Sequence, residues 1–589
     1  MEKIKAKYFD LKQFAKLMQY VKPYNKSFYL VMFFAIVLSV ITTVTPYLLK
    51  IIVDDYIIPK DYSGMTLIIF LMAVTLLVEV VLMFSFTYYS NWLGQRVIKD
   101  IRVKIFDKII NLKMSFFDKN SVGRLVTRAV SDIETIASIF SQGLFTIIAD
   151  LFKMTVILLV MIIISFRLTI VVLIIFPFLI YATRIFQKAM KKAFELVRRE
   201  VANLNSFVQE RISGIKIVQI FNREKVEEDK FNEINTKHRD AWLRTVWINS
   251  IFFPIAEISG SICIGLLVWY GGISNLNGIN ISIGTLFLFI TMSGLLFRPL
   301  RQIADKFNTL QMGMVAVDRI FSILENNSAI KETGKINTRS FKGKIEFKNV
   351  RFEYISNIEV LKGISFSVNP GETLAIVGPT GSGKTTIINL ISRLYDTRDG
   401  KIHIDGRSIN DYTLSCLRDN IGLILQDVFL FADTIQNNVT LFDEDISKEQ
   451  VIATAKELGI HDFIMSLPDD YNFNVQERGN TLSAGQKQLI AFMRVLIKNP
   501  DILILDEATS SIDSYSEDLI KSATKKITKN KTSVIIAHRL STIEAASTIM
   551  YMEDGLILEI GNHKELMGLE NGRYRKMHKE QFDNVEVID

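Results

Sequence analysis

The sequence has 589 residues, more than one compact core usually holds, so at least two domains are expected. Hydrophobic residues make up 49% and charged residues 22%, which favours a membrane protein with a soluble part over a purely soluble enzyme. The net charge of +7 does not indicate nucleic-acid binding, because the basic residues flank hydrophobic runs. The two cysteines, Cys263 in a hydrophobic run and Cys416 in the polar half, do not indicate a disulfide framework.

Hydrophobic runs occupy the first half of the sequence and come in three pairs. Each run is close to the ~20 residues that a helix needs to cross a bilayer. The sequence therefore predicts six membrane-spanning helices, at about residues 28–53, 65–89, 147–164, 168–185, 251–270 and 283–300.

The connections between these runs alternate in length and charge. Those after the first, third and fifth runs are short, whereas those after the second and fourth are long and basic. Charged and apolar residues interleave in the long connections at helical spacing, so the membrane helices are predicted to continue beyond the bilayer. By the positive-inside rule, the long connections and both termini are predicted to be cytoplasmic.

The character of the sequence changes after Leu324. Short strand patterns, such as 344–350 and 373–377, alternate with polar turns and helices, which is typical of an α/β domain. We therefore predict an all-α transmembrane domain over residues 1–325, a polar linker over 326–342, and an α/β domain over 343–589.

A phosphate-binding loop follows the strand pattern at 373–377. The pattern G-x-x-x-x-G-K-[ST] appears here between a predicted strand and a predicted helix. Because both the full pattern and its structural setting match, a glycine-rich turn that resembles the motif by chance is a poor alternative. The glycines turn backbone N–H groups toward phosphate oxygens, and the helix N-terminus adds favourable partial charge. We therefore expect ATP binding, with Lys384 on the β- and γ-phosphates and Thr385 on Mg²⁺. The predicted ATP-binding residues here are Gly378, Pro379, Thr380, Gly381, Ser382, Gly383, Lys384, Thr385 and Thr386.

A second apolar strand pattern, 502–505, ends in two acidic residues. A carboxylate at a strand end is suited to holding Mg²⁺, which is the role predicted for Asp506. Glu507 follows it directly and is predicted to polarise the attacking water. A strand followed by two acids is a weak signal alone, and the phosphate-binding loop is what makes it specific.

Residues 481–488 read Thr-Leu-Ser-Ala-Gly-Gln-Lys-Gln and resemble the signature motif of ATP-binding cassette (ABC) proteins, usually written LSGGQ. The motif residues are Leu482, Ser483, Ala484, Gly485 and Gln486. Other elements of the family follow in the expected order. Tyr354 resembles the aromatic residue that stacks on adenine, and Gln426 resembles the Q-loop glutamine. Asp513 resembles the D-loop aspartate, and His538 resembles the switch histidine.

The first half of the sequence resembles a particular branch, the ABC exporters that carry six membrane helices ahead of the cassette. Residues 116–125 and 215–224 resemble the two cytoplasmic loops at which short coupling helices dock on the cassettes in that family. The resemblance covers about residues 11–574. It implies a six-helix transmembrane domain followed by a P-loop NTPase cassette, in a bacterial plasma membrane.

The resemblance also implies a mechanism that needs two chains. Two cassettes meet head to tail, and each phosphate-binding loop is closed by the other chain's signature motif. Glu507 would then be the general base or water-positioning residue, His538 would contact the γ-phosphate, and Gln426 would link Mg²⁺ to the loops that meet the membrane domain. ATP binding would close the dimer, and hydrolysis would release it.

 Ala484 stands at the third position of the signature motif, where the family usually has glycine, and its methyl group would crowd the approach of a phosphate to the backbone. Exporters of this type are homodimers or heterodimers, and in the heterodimers one subunit typically keeps the catalytic glutamate beside an altered signature. The combination of Glu507 and Ala484 therefore favours a heterodimer with a second ABC half-transporter. The alternative is a homodimer that tolerates alanine.

The transported compound is poorly defined by the sequence. Glu79 and Glu257 lie within hydrophobic runs, where a carboxylate is costly and is a candidate substrate site. The alternative is that they pair with polar groups of other helices or face water. The leading hypothesis is export of hydrophobic or amphipathic compounds, of multidrug or lipid type. A dedicated peptide or lipid exporter and a non-transporting ABC regulatory protein are the other two hypotheses.

Overall fold

The computed structural model describes residues 11–60, 64–276, 281–328, 332, 334–506, 514–537 and 540–582. The chain forms two compact units. The first comprises Met1–Ile110 and Ser121–Asn327, and the second comprises Asn111–Asn120 and Ser328–Asp589. A short segment from the first half of the sequence therefore belongs to the second unit.

The first unit is helical throughout its described residues. Its helices are α1 (Leu11–Gln19), α2 (Asn25–Ile51), α3 (Met65–Ile110), α5 (Val122–Thr127), α6 (Ile133–Ser138), α7 (Phe145–Ile164), α8 (Phe166–Ser213), α9 (Ile215–Ile220), α10 (Glu224–Leu276) and α11 (Ile283–Leu324). Wider π-helical turns continue α2 and join α5, α6 and α7. The Ser165 side chain caps α8 by accepting a hydrogen bond from the Leu168 N–H, which separates α8 from α7 within one residue.

Five helical stretches among the described residues are long and apolar enough to cross a membrane, by length and composition. They are Lys22–Ile57, Met65–Ile110, Val122–Ile164, Phe166–Ser213 and Glu224–Leu276. Five of the six predicted runs lie in these stretches. The sixth lies in α11, whose apolar part, Ile283–Pro299, is shorter.

The predicted extension of the membrane helices is confirmed. Helices α3, α8 and α10 have 46, 48 and 53 residues. At 1.5 Å per residue they are about 70–80 Å long, more than twice the ~30 Å hydrocarbon core of a bilayer. Buried side chains of α7, α8, α10 and α11 form one apolar cluster of this unit, where the rings of Phe186 and Phe252 stack at 4.0 Å between centroids.

The second unit contains two sheets. Its strands are β1 (Ile345–Ile355), β2 (Ile358–Val368), β3 (Thr373–Val377), β4 (Asp399–Ile404), β5 (Arg407–Ser408), β6 (Ile421–Ile424), β7 (Ile502–Asp506), β8 (Thr532–Ile536), β9 (Thr548–Glu553) and β10 (Leu556–Gly561). One sheet has the antiparallel order β2-β1-β4-β5. The other has the order β10-β9-β3-β8-β7-β6 and is parallel except for β10.

The second unit also contains α-helices. They are α4 (Met114–Lys119), α12 (Lys384–Ile391), α13 (Leu414–Asn420), α14 (Ile435–Thr440), α15 (Lys448–Leu458), α16 (His461–Met465), α17 (Ala484–Lys498), α18 (Ser514–Thr528), α19 (Leu540–Glu544), α20 (His563–Gly568) and α21 (Arg573–Phe582). The larger sheet is buried on both faces. Leu374 and Ile376 of β3 join one apolar cluster, and Ala375 and Val377 join the other. This explains why β3 is a continuous apolar run, as expected of a parallel strand covered on both sides.

Candidate nucleotide-binding site

The predicted phosphate-binding loop connects β3 to α12. Gly378, Gly381 and Gly383 have φ values of 142°, 85° and 102°, which favour glycine. A Cβ atom on Gly378 would lie 2.0 Å from the carbonyl oxygen of Met552. The chain therefore passes so close to its neighbour that this position requires glycine.

Two buried side chains of the loop fit a phosphate group. The Lys384 ammonium donates hydrogen bonds to the carbonyl oxygens of Gly378 and Pro379, both at 2.8 Å. Burial lowers the pKa of Lys384, and the nearby Asp506 carboxylate opposes this shift. Ser382 Oγ is buried and makes no hydrogen bond within the described part of the chain. A phosphate oxygen would satisfy this hydroxyl and would replace the loop carbonyls as the partner of the lysine.

The carboxyl ends of the parallel strands bring two further predicted residues to the same edge of the sheet. Asp506 is the last residue of β7 and is buried. Ile424 of β6 pairs with Leu505 of β7, and Gln426 follows two residues after the end of β6, exposed. Since β7 pairs with β8 and β8 with β3, these residues share an edge with the phosphate-binding loop. Glu507, Asp513 and His538 lie outside the described residues.

Tyr354 lies beside the helix that follows the loop. Its hydroxyl lies 3.3 Å from Thr386 Oγ1 and accepts a hydrogen bond from Asn389 Nδ2 at 3.1 Å. The side chain remains 38% exposed. The predicted adenine-stacking residue is therefore held at the start of α12 with part of its ring accessible.

The signature motif forms the beginning of α17. The Ser483 side chain accepts a hydrogen bond from the Gln486 N–H at 3.2 Å, and the Gln486 side chain accepts one from the Ser483 N–H at 2.9 Å. This reciprocal capping box fixes the helix N-terminus. Leu482 and Gly485 are buried, whereas Ser483 and Ala484 are exposed. The motif thus presents a positively polarised helix end at the surface.

Comparison with known proteins agrees with this geometry. The family model for the ABC transporter transmembrane region matches residues 28–300, and the ABC transporter model matches residues 361–510. The chain belongs to the ABC transporter family. It carries a membrane region and an ATPase cassette in one polypeptide, so its ATPase activity is coupled to transport.

Relatives of this ABC transporter match it over nearly their whole length. An uncharacterized ABC transporter ATP-binding protein of Bacillus subtilis, YknV, is 35% identical over 99% of this chain and 97% of its own. A Bacillus subtilis protein provisionally named as a multidrug export ATP-binding/permease protein is 34% identical over 94% and 97%. An ATP-dependent lipid A-core flippase of Mannheimia succiniciproducens is 35% identical over 91% and 92%. The transporter is thus a multi-span membrane protein of the half-transporter type, and such exporters function as dimers.

The second unit of the transporter includes residues 116–120, the first part of the first predicted cytoplasmic loop. The Lys113 N–H donates to the Ser328 carbonyl oxygen at 2.9 Å, and its ammonium lies 2.7 Å from Asp396. The Tyr395 hydroxyl donates to Asp118 at 2.6 Å, and its ring meets that of Tyr354 edge to face at 5.1 Å. Burial is the main cause that raises the pKa of Tyr395, followed by its hydrogen bond to Asp118. Sequence reasoning missed Tyr395, because no motif marks it.

A second residue that the sequence did not indicate is Arg494 of α17. Its guanidinium donates to the carbonyl oxygens of Asn438 and Phe429 at 2.5 and 2.8 Å, and to the Asn438 side chain at 2.9 Å. Burial lowers its pKa to about 10. Arg494 therefore fastens the signature helix to the segment that follows Gln426.

The two intramembrane glutamates are in different surroundings. Glu79 is half-buried, accepts a hydrogen bond from Thr42 Oγ1 at 3.3 Å, and lies within electrostatic reach of Lys153. These contacts favour the alternative in which Glu79 pairs with polar groups of other helices. Glu257 is exposed in the single chain.

Proposed function

We propose that this chain is one half of an ATP-driven exporter that moves hydrophobic or amphipathic compounds, of multidrug or lipid type, out of the cytoplasm or the inner leaflet. The observation that carries the proposal is the similarity, over more than 90% of each chain, to a lipid A-core flippase and to a provisionally named multidrug exporter. The proposed mechanism is alternating access, in which the long helices, 46 to 53 residues each, would transmit closure of the cassettes to the membrane-spanning part. The flippase relatives favour a dedicated lipid exporter as the second candidate function.

The proposed topology places the transmembrane domain at residues 1–325, the linker at 326–342 and the cassette at 343–589. The cassette, both termini and the long basic connections are on the cytoplasmic side of the plasma membrane. The basic character of the connections after the second and fourth runs supports this orientation.

In the proposed reaction, the phosphate-binding loop holds the phosphates of ATP and Tyr354 stacks on its adenine. Lys384 leaves the carbonyl oxygens of Gly378 and Pro379 and neutralises the β- and γ-phosphates. Glu507 orients and deprotonates the attacking water, and His538 contacts the γ-phosphate. Asp513 belongs to the loop at which the two cassettes meet.

Mg²⁺ is the proposed cofactor of this site. Thr385, Gln426 and Asp506 would hold it, and their hydroxyl, amide and carboxylate oxygens are the donors that this hard cation prefers. The burial of Asp506 at the edge that carries the phosphate-binding loop supports the assignment. When bound, the ion neutralises charge on the β- and γ-phosphate oxygens.

The partner is proposed to be a different ABC half-transporter. Ala484 is exposed at the start of α17, so its methyl group faces outward, where the partner's nucleotide would approach. A signature with a methyl group at this position would bind the partner's γ-phosphate less closely. The intact phosphate-binding loop of this chain would then be closed by the partner's signature motif.

The deciding experiment measures ATPase activity of the chain alone in lipid nanodiscs, beside Glu507→Gln. We expect little turnover alone and strong turnover when a neighbouring ABC half-transporter is co-expressed. Vigorous turnover of the chain alone, abolished in Glu507→Gln, would replace the heterodimer with a homodimer. Silence under both conditions, in folded protein, would overturn the exporter in favour of a non-transporting regulatory protein.

The substrate class needs a separate measurement on the active dimer in vesicles. Two probes distinguish the candidates: efflux of a hydrophobic cationic dye, and translocation of a fluorescent lipid between leaflets. ATP-dependent movement of both supports the broad proposal, and movement of the lipid alone supports a dedicated lipid exporter. Movement of neither, by an active ATPase, would contradict both.

A further inference from the structure

Three metal-ligating side chains meet at the C-terminal end of the second unit, outside the nucleotide-binding site. Glu544 ends α19, His563 begins α20, and His578 lies in α21. Glu544 Oε1 lies 3.8 Å from His563 Nε2 and 3.7 Å from His578 Nε2. One ligand atom from each residue lies within 4.8 Å of those of the other two. The three residues are 15 to 34 positions apart in the sequence, so the fold, and not a local motif, brings them together.

This set has the composition of a transition-metal site. Two imidazole nitrogens and one carboxylate oxygen are ligands that Zn²⁺ accepts, at about 2.0–2.2 Å each. Tetrahedral bonds of that length place neighbouring ligand atoms about 3.3–3.6 Å apart. Glu544 Oε1 lies 3.8 and 3.7 Å from the two imidazole nitrogens, only a few tenths of an ångström more, and the ligand atoms of the two histidines lie within 4.8 Å of each other. Small side-chain rotations would therefore complete three positions of a tetrahedron and leave the fourth open.

A tyrosine orients one of the two imidazoles. His563 Nδ1 lies 2.8 Å from the hydroxyl of Tyr574, which is fully buried. When Nδ1 donates its hydrogen to that oxygen, Nε2 carries the lone pair and faces Glu544. An outer partner on the second ring nitrogen is the usual arrangement of a metal-bound histidine. His578 packs against the same group, with ring centroids 5.5 Å from His563 and 6.0 Å from Tyr574.

The three ligands differ in burial, and the most exposed one would let an ion enter from solvent. His578 is buried, His563 is half-buried, and Glu544 is exposed. The carboxylate therefore offers an entry path, while the imidazoles are held by the protein.

We propose that Glu544, His563 and His578 bind one divalent transition-metal ion, of which Zn²⁺ fits the ligands best. The ion joins α19 to α20 and α21. Helix α19 begins at Leu540, two residues after His538 in the sequence, so the ion restrains the helix that follows the proposed switch histidine. None of its three ligands is among the residues proposed for the nucleotide or the exported compound.

The test is a Zn²⁺ titration of the full-length chain in nanodiscs, without ATP and without a polyhistidine tag, after chelator treatment. Calorimetry and elemental analysis are expected to give one ion per chain, and Zn²⁺ is expected to raise the unfolding temperature. Glu544→Gln and His578→Ala are expected to weaken binding by more than about tenfold, and Tyr574→Phe by about tenfold. Glu544→Gln changes an exposed residue, so it keeps the test valid if His578→Ala does not fold.

His461→Ala is the matched control. His461 Nδ1 lies 2.8 Å from the Tyr471 hydroxyl, so it forms the same histidine–tyrosine pair outside the cluster. Binding and the stabilisation by Zn²⁺ should be unchanged in this variant. The proposal is overturned if the wild-type chain shows no saturable site, or if Glu544→Gln binds as tightly as the wild type. In that case Glu544, His563 and His578 form a polar cluster that binds no ion.

Discussion

At the scale of single residues, the ring and the hydroxyl group of Tyr354 can be tested separately. Tyr354→Phe removes only the hydrogen bonds to Thr386 and Asn389 and is expected to change ATP affinity by less than about fivefold. Tyr354→Ala removes the ring and is expected to weaken ATP binding about 5- to 100-fold, since stacking on a base contributes about 1–3 kcal/mol. Binding of a fluorescent ATP analogue in nanodiscs measures both. Equal losses in the two variants would mean that the hydroxyl, and not stacking, is what matters.

Residues of the nucleotide site differ in how well the sequence predicts them. The phosphate-binding loop is predictable because strand, glycines and lysine are consecutive, and the structure brings Lys384, Ser382 and Asp506 together. Tyr395 and Arg494 are not predictable, because their partners are 277 and 56–65 positions away. Contacts over such separations depend on the tertiary fold, and no local pattern encodes them.

At the scale of elements, Arg494 is expected to determine how firmly α17 is attached. Arg494→Ala leaves the fully buried Asn438 without its guanidinium partner, which should cost about 1–3 kcal/mol. The unfolding temperature of the cassette should therefore fall by several degrees, about 2–4 °C per kcal/mol. Lys498→Ala, at an exposed position of the same helix, is the control and should leave it unchanged. Thermal unfolding by intrinsic fluorescence makes the measurement, and equal stability of both variants would contradict this role.

The elements themselves follow closely from hydrophobic periodicity. Long helices with apolar and charged parts, and the strands β3 and β7, are where the sequence predicts them. The π-helical turns between α5 and α7 were not predicted, since a one-residue widening of a helix leaves no clear change in composition. Sequence periodicity could not predict that Asn111–Asn120 belongs to the second unit, because this depends on tertiary contacts such as that of Lys113 with Asp396.

At the scale of the whole molecule, the second predicted cytoplasmic loop tests the need for a second chain. Ile217, Ile220 and Phe221 are 62%, 70% and 66% exposed at α9 and its end, outside the predicted membrane runs. Apolar side chains in such a position favour a protein partner. Phe221→Asp is therefore expected to weaken the docking of the partner chain and to lower the ATPase activity of the active dimer by about tenfold or more, since burying an unpaired charge costs several kcal/mol. Binding of ATP to the single chain should not change, because Phe221 lies in the other unit.

Lys216→Ala is the control for Phe221→Asp, because it shows whether any substitution in this loop lowers activity or only the loss of apolar surface. Lys216 is also exposed and belongs to the same short helix, but it contributes a charge and no large apolar surface. Its ATPase activity should stay close to that of the wild type. If both variants lose activity equally, the loop acts through its backbone or its charge. If neither does, the apolar surface at α9 is not where the partner docks, and the exposed first residues of the signature helix become the next place to look for the contact between the two chains.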